Sequence, residues 1–395
     1  MTPRILIALT PLLLSAQSFT QRGFLDLRTV IYPETAPGDS GRAIAESLLR
    51  YEASYRFTPA LRLAGAIDAR ADTHLQTERD PRLDWQDRTL RRPALSIRRL
   101  SVVYGRGGVT AELGKQFIRW GKADILNPTD RFAPRDFLGV VDNDFLAVTA
   151  VRVTIERSGN TLDAVFTPRL TPSRTPLLNQ RWTLLPEGVR LPDIGSRYPG
   201  AGQFGVRWNR VGRGFEHSLS FYEGFNHLPL FDAARFERFY PRLRMFGADA
   251  AVPLRWFTVK GESAWFTSRG RQADEYVQYV LQLERQSGEW SLVGGYSGEY
   301  VTRRRALFGF SPDRGLTRAF LGRVSYTIDT NRGVVMEAAV RRNGDGAWIR
   351  TEYSQAFGQH WRATAGFTLI RGDAGDFLGQ YRRNSHALLA LRYSF

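Results

Sequence analysis

The connections between predicted strands constrain the fold most, because short and long connections alternate along the chain. Apolar and polar residues alternate with a period of two over most of the sequence, which is typical of β-strands. We predict about eighteen strands from this pattern, at 22–32, 43–57, 59–70, 95–105, 107–118, 144–157, 160–168, 202–211, 214–224, 242–252, 253–268, 273–286, 288–302, 317–328, 332–343, 346–356, 359–371 and 383–395. Every second connection is tight, as at Ser158-Gly159-Asn160, whereas 71–94, 119–143 and 169–201 are long.

Sorted connections of this kind indicate an up-and-down barrel in an outer membrane, where periplasmic turns are short and extracellular loops are long. A barrel of 16–18 strands is too wide for side chains to fill, so the polar face lines water and the apolar face meets lipid. The predicted fold class is therefore all-β: an antiparallel transmembrane β-barrel of about 18 strands. Aromatic residues near strand ends predict interfacial girdles, at Trp208, Trp290, Tyr300, Trp348, Trp361 and Tyr393.

The first residues predict export. Arg4 precedes the apolar stretch 5–14, and the small residues Ala16 and Ser18 follow it. This pattern is typical of a secretory signal peptide, although a short buried strand or helix is the alternative. We therefore predict a cleaved signal peptide over residues 1–18, a barrel over 19–395, and a location in the bacterial outer membrane. The sequence has no cysteine, which excludes disulfides and thiolate metal sites.

The C-terminal residues predict a second targeting signal. Phe395 ends the chain and Tyr393 lies two residues before it, on the same face of the last predicted strand. This end resembles the insertion signal of Gram-negative outer-membrane barrels, although an aromatic end on a soluble edge strand is the alternative. The resemblance implies the barrel-insertion machinery and outer-membrane lipid as partners.

A more local resemblance covers the end of the fifth predicted strand and the segment after it. Gly114-Lys115-Gln116 is followed by Trp120-Gly121-Lys122-Ala123-Asp124, then by Asn127-Pro128-Thr129-Asp130. The segment is similar to a box in poorly characterised porin-like outer-membrane barrels. In such barrels an early loop folds into the lumen, so the resemblance implies a pore constriction formed by Lys122, Asp124, Asp130, Arg131, Arg135 and Asp136. A surface loop held by its own ion pairs, and a lid packed on other loops, are the alternatives.

The charge balance bears on the solute. The chain carries 55 basic and 39 acidic residues, and only three of the basic residues are lysines. By strand parity, six arginines are predicted to line the lumen wall: Arg152, Arg207, Arg323, Arg350, Arg362 and Arg392. Rings of arginine favour anions. The alternative is that each arginine pairs with a cross-strand carboxylate and only stiffens the wall.

These features predict a porin-like channel for passive diffusion of small polar solutes, with an anion preference. A non-conducting structural or partner-binding barrel is the main alternative. An energy-coupled receptor is disfavoured because strands begin near Arg22, which leaves no room for a plug domain. A barrel hydrolase is remote, because the five histidines lack metal-ligand spacing and the serines beside His217 and His386 point to the opposite face. We expect no enzyme activity, no cofactor and no nucleic-acid partner. Resemblance to porins suggests a trimer, but the residues leave the oligomeric state open.

Overall fold

The computed structural model describes residues 18–186, 188–270, 272–305 and 310–395. The predicted signal peptide therefore lies outside the described residues up to position 17. The barrel strands are β1 (Phe19–Ile31), β2 (Ala43–Arg56), β3 (Leu61–Asp72), β5 (Leu95–Arg106), β6 (Val109–Gln116), β9 (Val148–Arg157), β10 (Asn160–Thr167), β12 (Gln203–Val211), β13 (Glu216–Phe225), β16 (Arg242–Pro253), β17 (Thr258–Thr267), β18 (Glu275–Ser287), β19 (Trp290–Arg303), β20 (Ala319–Thr327), β21 (Arg332–Arg341), β22 (Gly346–Phe357), β23 (Trp361–Gly372) and β24 (His386–Ser394).

The remaining elements are short and lie in the loops. They are the strands β4 (Leu83–Asp84), β7 (Arg135–Asp136), β8 (Asp144–Phe145), β11 (Gly195–Arg197), β14 (Leu230–Asp232) and β15 (Glu237–Phe239), the helix α1 (Pro312–Gly315) and a 3-10 helix at Gly379–Asn384. Within the described part of the chain, no helix is long and apolar enough to cross a membrane.

The eighteen barrel strands close into a single antiparallel barrel. Each pairs with the barrel strands before and after it, and β1 also pairs with β24. The closing seam includes the predicted insertion signal, because the backbone N–H of Phe395 donates to the Gly23 carbonyl oxygen at 3.0 Å. The ring of Tyr393 lies 4.9 Å from that of Trp361. Closure leaves no unpaired sheet edge. The predicted fold class and the count of eighteen strands are confirmed.

The connections alternate as the sequence predicts. One end of the barrel has only tight turns, at 57–60, 107–108, 158–159, 212–215, 254–257, 288–289, 328–331 and 358–360. Two of these turns have both central residues at positive φ, Gly107-Gly108 at 59° and 80° and Ser158-Gly159 at 48° and 75°. Such pairs form the two-residue turns that match the twist of a hairpin. The other end carries the long loops, including 73–94, 117–147 and 168–202.

The outward face of the barrel is apolar. Leu113, Leu281 and Phe320 are each more than half exposed, and Phe367 is 46% exposed. Trp290, Tyr300 and Trp361 are also exposed on this face near strand ends, as expected for a girdle. Trp348 differs from the prediction: it is 7% exposed and packs in an interior cluster with Leu321 and Ile370. Its position on the inward face of β22 excludes it from the girdle.

The interior of the barrel contains a packed apolar core as well as polar groups. Trp120 and Phe132 of the loop 117–147 stack edge to face with centroids 5.1 Å apart, and Phe132 makes a similar contact with Tyr222 at 5.2 Å. Wall residues of β16 and β17 complete this cluster, including Met245 and Phe266. One side of the lumen is therefore filled by a loop that packs on apolar wall residues. Open space remains beside β1, β2, β3 and β5.

Candidate pore and its constriction

The loop 117–147 enters the barrel and is held by one wall carboxylate. Glu262 of β17 is 3% exposed. It accepts hydrogen bonds from the backbone N–H groups of Lys122 at 2.9 Å, Ala123 at 3.1 Å and Thr129 at 2.8 Å. The Thr129 hydroxyl donates to the same carboxylate at 2.8 Å. One side chain thus joins two separate parts of the loop to the wall.

Two of the predicted constriction residues extend this attachment toward the end with tight turns. The Lys122 ammonium lies 2.8 Å from Asp249 and 3.1 Å from Glu216. The Asp124 carboxylate lies 2.9 Å from the Lys260 ammonium. All three wall partners are on β13, β16 and β17. These ion pairs hold the loop against the wall formed by β13, β16 and β17, away from the open space beside β1, β2, β3 and β5.

The next two predicted residues make contacts at the core of the inserted loop. Asp130 is buried and accepts hydrogen bonds from Arg119 Nε at 2.5 Å and from the Trp120 backbone N–H at 3.0 Å. Arg131 donates to the Asn226 side chain at 3.1 Å, which joins the loop 117–147 to the loop after β13. Both residues stabilise the inserted conformation.

The last two predicted residues connect the loop to its neighbours. Arg135 lies over the Phe145 ring, with its guanidinium carbon 4.5 Å from the ring centroid. Asp136 is buried between Arg92 at 2.9 Å and Arg174 at 3.2 Å. Burial alone would raise the pKa of Asp136, but these two guanidinium groups hold the pKa well below its usual range. Among the six predicted residues, Asp136 is the one that also lines the loop-side cavity described next.

Two cavities follow one another along the wall formed by β1, β2, β3 and β5. The loop-side cavity, of about 150 Å³, has a mixed lining that includes Asp26, Arg28, Glu46, Asp68, Arg70, Arg92, Asp136, Asp142 and Asp144. The turn-side cavity, of about 530 Å³, has a strongly basic lining of Arg22, Arg50, Arg62, Arg98 and Arg99 around the single carboxylate of Glu52. Both cavities lie on the same side of the barrel, and their linings share Arg98 and Phe117.

The inserted loop and the barrel wall carry opposite charges that pair beside the loop-side cavity. Asp142 belongs to the inserted loop and lies 3.4 Å from Arg350 of the wall. Burial would raise the pKa of Asp142, but the positive charges of Arg350 and Arg28 hold the pKa below its ordinary value. The carboxylate therefore stays ionised at neutral pH. The inserted loop contributes Asp136, Asp142 and Asp144 to the lining of this cavity, and the wall strands contribute both carboxylates and arginines.

The six arginines predicted for the lumen wall lie outside the linings of these two cavities. Five are within ion-pair distance of a carboxylate, as in Arg152–Asp163 at 2.8 Å and Arg207–Asp249 at 3.0 Å. The other three pairs are Arg323–Glu337, Arg350–Glu352 and Arg392–Asp26. Arg362 forms no ion pair with any residue of the described ranges. None of the six lines either of the two cavities over the residues that the structure describes.

The arginines of the turn-side cavity were missed, although a signal for them exists. Arg22, Arg50 and Arg62 lie at positions of opposite parity to the outward-facing residue of their own strand, which is Leu25, Leu49 and Ile67 respectively. Strand parity therefore places them inside the barrel. What parity does not reveal is which part of the lumen the inserted loop leaves open. That depends on contacts such as Glu262 with Lys122, which are far apart in sequence.

The loop 168–202 covers part of the mouth. Its Arg174 pairs with Asp87 at 2.8 Å as well as with Asp136. Its Arg181 donates through the backbone N–H to Asp39 at 3.0 Å and through the guanidinium to the Gly41 carbonyl oxygen at 2.7 Å. These contacts tie the loop to the connections before β2 and β5. The loop therefore restricts access to the loop-side cavity from the end of the barrel that carries the long loops.

The barrel resembles solved structures of porins. Acinetobacter baumannii OccAB4 superposes with a TM-score of 0.59 at 9% identity, covering 96% of this chain and 98% of that one. A BenF-like porin from Pseudomonas fluorescens gives a TM-score of 0.56 at 10% identity, covering 96% and 97%. The structure of Pseudomonas aeruginosa OpdK with vanillate gives a TM-score of 0.51 at 12% identity, covering 95% of this chain and 98% of that one. The sequence matches no protein-family model and no curated protein. At these identities the similarity establishes a porin-like fold.

Proposed function

We propose that this protein is a channel of the bacterial outer membrane through which small polar solutes diffuse passively, with a preference for anions. The observation that carries this proposal is the turn-side cavity, in which five arginines face one glutamate inside a closed barrel. A cavity whose lining carries an excess of one sign of charge raises the local concentration of ions of the opposite sign. The porin-like fold supports the same function.

The loop 117–147 supplies the constriction in this proposal. Lys122, Asp124, Asp130, Arg131 and Arg135 anchor the loop, while Asp136, Asp142 and Asp144 present carboxylates to the open space. The signal peptide over residues 1–18 and the recognition of Tyr393 and Phe395 by insertion machinery remain parts of the proposal. The outward apolar face gives the barrel its lipid contact.

A small organic anion is the solute class that the lining favours. Vanillate, present in the OpdK structure, is a carboxylate attached to an aromatic ring. By extension, we propose that small monocarboxylates pass through this channel. A guanidinium group binds a carboxylate with two parallel hydrogen bonds, which suits an arginine-rich lining.

Liposome swelling with the refolded protein tests this function. We expect vanillate to enter faster than an uncharged sugar of similar size, because the turn-side cavity attracts anions. Arg62→Glu should reduce that preference, since Arg62 is exposed in the cavity and forms no ion pair within the described ranges. Arg213→Glu in the exposed turn 212–215 is the matched charge control and should leave it unchanged. Liposomes that admit neither solute would instead support a non-conducting, partner-binding barrel.

A further inference from the structure

A β-bulge places one additional arginine in the lumen. Ala66 of β3 pairs with Arg99 of β5, and the next residue Ile67 pairs with Ile97, so Arg98 has no partner on β3. In a regular strand Arg98 and Arg99 would point to opposite faces. Because a bulge inserts an extra residue and redirects side chains, both arginines line the turn-side cavity.

Arg98 reaches from the wall to the inserted loop. Its guanidinium lies 3.0 Å from the Asp144 carboxylate and 3.7 Å from Asp68. It also lies over the ring of Phe117, 4.9 Å from the centroid. Asp144 and Phe117 both belong to the loop 117–147, near its two ends. The Arg98 side chain therefore bridges the gap between the wall and the loop.

This bridge lies where the two cavities meet. Arg98 and Phe117 line the loop-side cavity and the turn-side cavity alike, and within the described residues no other side chain lines both. The loop-side cavity lies beside the residues of β1, β2 and β3 nearest the long loops, and the turn-side cavity beside those nearest the tight turns. A solute that moves between the cavities must pass Arg98.

We propose that Arg98 is the specificity-determining residue of this channel, and that a solute carboxylate passes by replacing Asp144 as the partner of its guanidinium. This inference rests on the proposed channel function. The Asp144 side chain is 55% exposed, so water solvates its carboxylate once it is released. The solute carboxylate then makes the charge-assisted hydrogen bonds that Asp144 gives up. A cation gains no such partner and is repelled by the arginines of the turn-side cavity.

Three variants and one control variant test this role by liposome swelling and single-channel recording. We expect Arg98→Ala to raise single-channel conductance at least about twofold and to reduce the ratio of anion to cation permeability, because it removes both the bridge and its charge. Arg98→Lys should keep the anion preference but slow vanillate, since lysine lacks the planar paired donors. Asp144→Asn should speed vanillate more than a neutral sugar, because it weakens the partner that the solute must replace.

The matched control is Arg99→Ala. Arg99 lines the same turn-side cavity but pairs with Glu112 at 2.9 Å on the neighbouring strand and does not bridge to the loop. It should lower the anion preference without changing conductance. Equal effects of Arg98→Ala and Arg99→Ala would overturn the inference. So would a conductance and an anion preference of Arg98→Ala equal to those of the wild-type protein, provided that the wild-type protein conducts. A folded wild-type protein without conductance would overturn the proposed function itself.

Discussion

The Glu262→Ala variant will conduct in larger and noisier single-channel steps than the wild-type protein. Glu262 accepts three backbone N–H groups and one hydroxyl from the inserted loop. Without it, those donors lose their acceptor in a buried site, which costs about 1–3 kcal/mol for each unsatisfied group. The loop should leave the wall and regain those bonds from water. We expect at least about a twofold rise in conductance as the constriction is lost.

Three variants separate release of the loop from loss of charge. Glu337→Ala removes the same charge from the lumen wall, where Glu337 pairs with Arg323 at 3.4 Å, and should keep near wild-type conductance. Glu262→Gln retains one acceptor oxygen and should give an intermediate value. Deletion of residues 124–136 should reach the largest conductance of the series. Wild-type conductance in a folded Glu262→Ala variant would contradict the role given to this carboxylate.

Phe367→Arg will abolish insertion of the barrel into lipid bilayers. Phe367 lies in the middle of β23 on the outward face and is 46% exposed. An arginine at the middle of the lipid-facing surface of a barrel costs about 2–4 kcal/mol. Leu281→Arg on β18, where the leucine is 57% exposed, should have the same effect. Refolding into vesicles, followed by protease protection, measures the inserted fraction.

The matched control lies three residues away on the same strand. Thr364 is on the inward face of β23, so Thr364→Arg should insert normally. Gln282 is also on the inward face, but it is 2% exposed, and its side-chain oxygen accepts a hydrogen bond from the backbone N–H of Asp124 in the inserted loop at 3.0 Å. Arginine at that position would displace the loop, so it is unsuited as a control. Equal insertion of Phe367→Arg and Thr364→Arg would contradict the assignment of the two faces.

Strand parity predicted the barrel well because one rule governs every strand. Each barrel strand presents one face outward and the other to the interior, so alternation marks all eighteen, and tight turns such as Ser158-Gly159 mark their ends. The prediction of the aromatic girdle was wrong at one position, where the barrel interior is filled by packed side chains instead of water. Trp348 was assigned to the outer girdle from its position near a strand end, but it belongs to the interior core.

The candidate pore was harder to predict because it depends on tertiary contacts. The density of charge in residues 122–136 pointed to the inserted loop, but not to the wall on which it packs. Glu262 binds Lys122 from 140 positions away in the chain, and nothing in the local pattern connects them. Arg98 was beyond the reach of parity, because the bulge that brings it into the lumen breaks the alternation. The two cavities therefore lie along β1, β2, β3 and β5 instead of along the strands that carry the predicted wall arginines.

Planar-bilayer recording of the folded wild-type protein across a salt gradient tests the central claim most directly. The proposed channel predicts discrete conductance steps and a reversal potential with the sign of anion preference. Steps with cation preference would contradict the role given to the arginine-lined cavity while retaining a channel. The absence of steps from protein shown to be folded and inserted would contradict the claim that this barrel conducts.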